Sequence, residues 1–367
     1  MTTSPEAPPP EDRNTARAAE PHEHAAAGRP GHPDAPKSGS PDEADTAGPP
    51  VTPGPAERAE RRDATGPPEA SRPPEPAPPP HAAAHDRSDA DAPSRSGSRT
   101  AADAPGSSPL DGLRFAFGTL TALPVRVHRW DRAAARGGMV AAPLVGLVLG
   151  ALAAGAGWLL LLAGAGAAVA AVVTVAVPAV LTRGLHLDGL ADTADGLGSG
   201  RPAAGALAVM RRSDIGPFGV ITLLLVLLGQ VAAVAELYGD GSRIRAAVAV
   251  TAAAVAARAA LTLAARTGVP PARPEGLGAA VAGVLSVRTA VACTAVAAAV
   301  LAAAAGLLSG PYAALHTALA VAAGLAAAEL LRHHCVRRLG GVTGDVFGAL
   351  AETAATAALI AAVLGPA

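Results

Sequence analysis

The chain has 367 residues, half of them apolar, with 29 Lys and Arg against 30 Asp and Glu. The net charge of -1 averages two unlike parts, an acidic first third and a basic remainder, and nucleic acid is not an expected partner. Two isolated cysteines, Cys293 and Cys335, exclude a disulfide framework.

Residues 1–108 are rich in Pro, Ala, Ser, Asp, Glu and Arg and hold no aromatic residue. Such a segment buries too little apolar surface to offset its chain entropy, so it is expected to be a disordered tail. It lacks the apolar run of a secretory signal. PPEPAPPP at 73–80 reads as a short polyproline spacer.

Residues 109–367 form a different domain, with 18 Arg, no Lys and 12 acids. The helix at 110–123 is too short to cross a bilayer and is expected at the interface. No charge occurs between Arg136 and Arg183. That length predicts two spans, near 138–162 and 165–182, with Pro178 kinking or ending the second. Further spans are expected at 217–237 and 246–266, the latter enclosing Arg258. Two more fill 289–328, broken near Ser309-Gly310-Pro311, and a last one starts near Val346. The fold class is therefore an all-α polytopic transmembrane bundle of about seven spans behind a long tail. Its abundant Gly and Ala suit close helix packing in lipid.

Three polar segments separate the spans: 183–216, 267–288 and 329–345. They carry nine of the domain's 18 arginines, so the positive-inside rule sets all three on the cytoplasmic side. In RGLHLDGLADTADGLGSG, 183–200, Asp188, Asp192 and Asp195 stand at i, i+4, i+7, on one helix face. Three such carboxylates repel one another unless a cation joins them, and hard oxygen ligands suit Mg²⁺ working with phosphates. MRRSDIGPFGV, 210–220, offers Arg211 and Arg212 to a phosphate, then Asp214. PARPEGLG, 271–278, holds Arg273 and Glu275 on a stiff turn. GGVTGDVFGALAE, 340–352, offers the Thr343 hydroxyl to a phosphate and sets Asp345 and Glu352 on one face running into the last span. A carboxylate there, Glu352 above all, is expected to face the interior and a partner. RHHC, 332–335, makes a poor soft-metal site, because adjacent helical residues diverge.

These four motifs, in this order among apolar spans, resemble the cobalamin synthase family, adenosylcobinamide-GDP ribazoletransferases. LTALPV at 120–125 resembles that family's opening, while Ala122 and Ala355 depart from its usual residues. The resemblance covers about 110–367. It implies a Mg²⁺-dependent enzyme in the inner (cytoplasmic) membrane whose site faces the cytoplasm. A hydroxyl of α-ribazole, or of its 5′-phosphate, would attack adenosylcobinamide-GDP and release GMP. Asp188, Asp192 and Asp195 would then hold the metal. Arg211 and Arg212, with Arg183, would take up charge on the leaving GMP, and His186 or Asp345 would accept the proton. Asp214, Arg273, Glu275, Thr343 and Glu352 join Arg183 as candidate substrate contacts. The bilayer is the second partner, and association with other corrinoid-pathway enzymes is compatible with this reading.

Two alternatives remain. A CDP-alcohol phosphatidyltransferase-like enzyme uses a similar acidic helix, but its pattern needs an Arg where Asp192 stands. A transporter would place acids mid-span and repeat its halves, and no such repeat is evident.

Overall fold

A computed structural model of the protein describes residues 108–364. The tail expected at 1–108 lies outside the described residues except for Ser108, which caps the first helix. Eleven helices and no strand occur among the described residues. In α1 (Pro109–Leu120), the Ser108 hydroxyl accepts from Leu110 N and the Asp111 carboxylate accepts from Ser108 N, closing a capping box.

The long helices are α2 (Arg132–Leu162), α6 (Pro217–Gly239), α7 (Arg243–Ala264), α9 (Val287–Ser309), α10 (Pro311–Leu339) and α11 (Gly344–Val363). These six are each long and apolar enough to cross a membrane. A seventh crossing needs α3 (Ala167–Leu181) and α4 (Leu185–Gly198) together, and these are bent 89° apart. The span expected at 165–182 is thus only 15 residues of helix, ~22 Å long and short of the ~30 Å hydrocarbon layer. The break at Gly310 falls where the sequence placed it. The polar segment expected at 329–345 is helical as far as Leu339. There Glu329 binds Arg266 at 2.5 Å and Arg332 at 2.6 Å, so these two arginines serve the structure.

Helix α7 is the axis of the bundle, and its alanines explain why. A Cβ at Gly146 would stand 2.5 Å from the Ala254 carbonyl oxygen, and one at Gly150 would stand 2.7 Å from Thr251 Cα. Small residues on both helices therefore let α2 and α7 meet backbone to backbone, the packing that lipid favours. The large side chains point outward instead. Leu225 and Leu228 on α6 and Val296, Val300 and Leu307 on α9 are exposed, as hydrocarbon-facing residues should be. Two short helices, α5 (Ala203–Val209) and α8 (Leu277–Val281), lie in the polar segments. With the α3–α4 bend they gather at one end of the bundle.

Candidate active site

Helix α4 starts from a strained turn. Arg183 has φ 54° and Gly184 has φ 69°, a left-handed pair that a non-glycine residue adopts only at a cost. This turn sends α4 across the end of the bundle. Its acids become steadily more enclosed: Asp188 is exposed, Asp192 half-buried and Asp195 buried. Among the described residues neither Asp188 nor Asp192 accepts a hydrogen bond or joins an ion pair. Asp192 lies in the repelling fields of Asp188, Asp345 and Asp195, with Arg273 as the nearby opposite charge.

Asp195, expected as a metal ligand, caps α6. It accepts from Gly216 N at 2.7 Å and Gly219 N at 2.9 Å. Both carboxylate oxygens thereby satisfy the open start of α6, whose own N-cap is a glycine. A Cβ on either glycine would collide with that carboxylate. No group of three His, Cys, Asp or Glu poised to hold a metal occurs among the described residues. Asp188 and Asp192 are the acids of this face that no hydrogen bond or ion pair occupies among the described residues.

The third and fourth motifs form one unit with α4. Ala272 N donates to Val342 O and Val342 N donates to Pro270 O, both at 2.9 Å. A Cβ at Gly278 would stand 2.7 Å from the Thr343 carbonyl carbon. Thr343 caps α11 by accepting from Val346 N at 3.2 Å, and its hydroxyl donates to Asp345 Oδ2 at 3.2 Å. Arg273 reaches the same oxygen at 3.5 Å and donates to Leu207 O at 2.9 Å, which ties in α5. A Cβ at Gly189 would be 2.6 Å from the Asp345 carbonyl oxygen, and one at Gly348 would be 2.9 Å from that of His186. Helices α4 and α11 thus cross in direct backbone contact, and Asp188, His186 and Asp345 come to one place.

Two cavities open there and share Asp188. One, of ≈ 550 Å³, is lined by Arg183, Arg212, Ser213 and Asp214 with Asp188 and Asp192. The other, of ≈ 270 Å³, takes in His186, Arg273, Glu275, Thr343 and Asp345. His186 is buried, and its Nδ1 has no hydrogen-bond partner.

A family model described as Cobalamin-5-phosphate synthase matches residues 112–363. The chain belongs to that family. Over 260 residues it is 44% identical to a protein of Frankia casuarinae named adenosylcobinamide-GDP ribazoletransferase, covering 67% of this chain and 92% of that one. Proteins of the same name from Nocardioides sp. and Escherichia coli K12 are 40% identical over 258 residues and 35% over 215. They cover 68% and 59% of this chain, and 97% and 83% of their own lengths. No solved structure matches the chain. All four motifs lie inside the region shared with the cobalamin-5-phosphate synthases, and residues 1–111 lie outside it.

Two expected site residues lie elsewhere. Arg211 is exposed beside Arg212 and lines neither cavity. Glu352, expected at the substrate, lies in the bundle interior on a cavity of ≈ 60 Å³, room for water and not for a nucleotide. It accepts from Gln230 Nε2 at 3.0 Å and feels the charge of buried Arg258. In the sequence Arg258 stands within a span, and no spacing gives it a partner. A lone Arg and a lone Gln in apolar spans were the available signal.

Proposed function

We propose that this chain is an adenosylcobinamide-GDP ribazoletransferase, a magnesium-dependent enzyme of the cytoplasmic membrane whose site faces the cytoplasm. The observation that carries this reading is the meeting of all four motifs at Asp188, between two cavities. The names of its family relatives supply the substrates. A hydroxyl of α-ribazole, or of its 5′-phosphate, forms a new O–P bond at the phosphorus nearest the cobinamide. The bond from that phosphorus to the GMP oxygen breaks, and GMP leaves with adenosylcobalamin, or its phosphate, as the other product.

Such transfer depends on alignment and charge neutralisation more than on covalent help. Asp188 and Asp192 stand one helical turn apart, unpaired, beside the cavity. That donor set fits a hard cation completed by water and substrate phosphates, the usual habit of Mg²⁺. Bound there, Mg²⁺ would neutralise the diphosphate and polarise the P–O bond that breaks. Arg212 and Arg183 hold the phosphates and take up charge on the departing GMP. Asp345 is already held by Arg273 and Thr343, so the unpartnered His186 ring is the better acceptor for the hydroxyl proton. Arg273 and Thr343 fix the wall that carries these groups.

The test uses sealed membrane vesicles holding the full chain, supplied with adenosylcobinamide-GDP, α-ribazole and Mg²⁺. Inverted vesicles, with the cytoplasmic face outward, are expected to release GMP and adenosylcobalamin in equal amounts, and right-side-out vesicles neither. Release by right-side-out vesicles alone would reverse the orientation. Release by neither would remove the activity.

A further inference from the structure

The two cavities at Asp188 differ in chemistry. The ≈ 550 Å³ cavity is charged, with Arg183, Arg212 and Asp214 in its wall. The ≈ 270 Å³ cavity is charged only where it meets Asp188, Asp345, Arg273 and Glu275. Its remaining wall includes Leu120, Met139, Leu261, Val281 and Phe347, all buried. His186 belongs to that buried wall, at 3% exposure and with Nδ1 unpartnered.

Both organic groups that flank the reacting phosphorus carry a flat heterocycle. Guanine has several N–H donors and a carbonyl around its edge. Set against hydrocarbon, each of these groups would lose its hydrogen bond to water and gain none in return. A benzimidazole base joined to ribose has a single ring-nitrogen acceptor, and the rest of it is hydrocarbon. It suits the part of this wall formed by Leu120, Met139, Leu261, Val281 and Phe347. The corrin ring system is too large for ≈ 270 Å³.

Resting on the transferase reading above, we infer that the ≈ 270 Å³ cavity is the subsite for the benzimidazole-type base of the incoming nucleoside, with Met139, Leu261 and Val281 setting the size of base admitted. The charged cavity then takes the guanosine diphosphate, with Asp214 available to the N–H groups of guanine. This division also meets the geometry of the reaction. The attacking and leaving oxygens must stand roughly in line on opposite sides of phosphorus. Nucleoside in one cavity and GMP in the other puts the phosphorus at their junction, beside Asp188.

The test is steady-state kinetics with the full-length enzyme in lipid nanodiscs, varying each substrate separately. Met139→Phe narrows the apolar cavity. It is expected to raise KM for α-ribazole about tenfold or more, the scale of a methylene-sized misfit in an apolar pocket, with KM for adenosylcobinamide-GDP within twofold. A riboside with a smaller base should lose less. Val281→Ile adds one methylene, a change the packing tolerates better, and should shift the same KM in the same direction by a smaller factor. A rise in KM for adenosylcobinamide-GDP with none for α-ribazole would overturn the assignment, as would equal rises in both. Failure of the wild type to release GMP would instead remove the transferase reading, and the subsite with it. Wild-type turnover with both variants unaltered would remove the subsite alone.

Discussion

At one end of the bundle, segments far apart in sequence meet through backbone. Pro270–Ala272 bonds to Val342, Gly189 lies against Asp345, and Gly278 lies against Thr343. The opposite end is joined by side chains. There Arg245 pairs with Asp240 at 3.3 Å, and His316 Nε2 lies 2.7 Å from the Leu364 carbonyl, around a cavity of ≈ 330 Å³ lined largely by alanine. Side-chain ties of that kind are screened and replaceable. Glycine-to-backbone contacts leave no room for any larger residue. The comparison teaches where precision is needed: the end that must align two substrates is interlocked through its main chain, and the other end is only closed.

Midway between the ends, the cluster Arg258–Glu352–Gln230 gives the largest expected effect. Arg258→Leu takes away the opposite charge whose field the buried Glu352 carboxylate feels, and should lower thermal stability more than the other changes considered below. Arg258→Leu with Glu352→Leu should recover most of that. Thermal unfolding in detergent of both single variants and the double variant checks it. Additive losses would show that the two residues do not sense each other.

Next comes Gly189→Ala, which sharpens the comparison directly. Its methyl group would stand 2.6 Å from the Asp345 carbonyl oxygen, so α4 and α11 must part. Overpacking of this kind costs about 1–3 kcal/mol. Because it also separates Asp188 from Asp345, turnover should fall by more than the stability loss explains. A stable variant with normal turnover would show that the crossing does not align the site.

The smallest effect belongs to the other end. Arg245→Ala should cost about 0–1 kcal/mol and leave GMP release unchanged. A tenfold loss of turnover would break the division between the ends.

Much of this was legible in the sequence. Charge-poor lengths gave the six long helices but not the shortness of α3, and Ser309-Gly310-Pro311 gave the α9–α10 break. Helical spacing set the acids on one face, and Pro217 stands at the start of α6 as its position suggested. The bend at Arg183 was not legible, because a left-handed Arg has no sequence signature. Nor was the role of Asp195, since the same i, i+7 spacing serves a metal or a cap. One local clue existed: the N-cap of α6 is Gly216, which brings no side chain to cap its helix, so a cap from elsewhere was owed. The split between Asp345 at the site and Glu352 in the interior also depends on which helices cross α11, and no spacing encodes that.

The central claim is that Asp188 and Asp192 form the charged centre where the cation and the diphosphate meet. Asp192→Ala tests it most directly, with GMP release and thermal stability measured in detergent with and without Mg²⁺. Turnover should fall on the order of a thousandfold or more. The metal-free variant should be as stable as the wild type or slightly more so, because one of several repelling carboxylates is gone. Mg²⁺ should stabilise the wild type and not the variant. Near-normal turnover, or a metal-free variant that unfolds more readily than the wild type, would contradict the account.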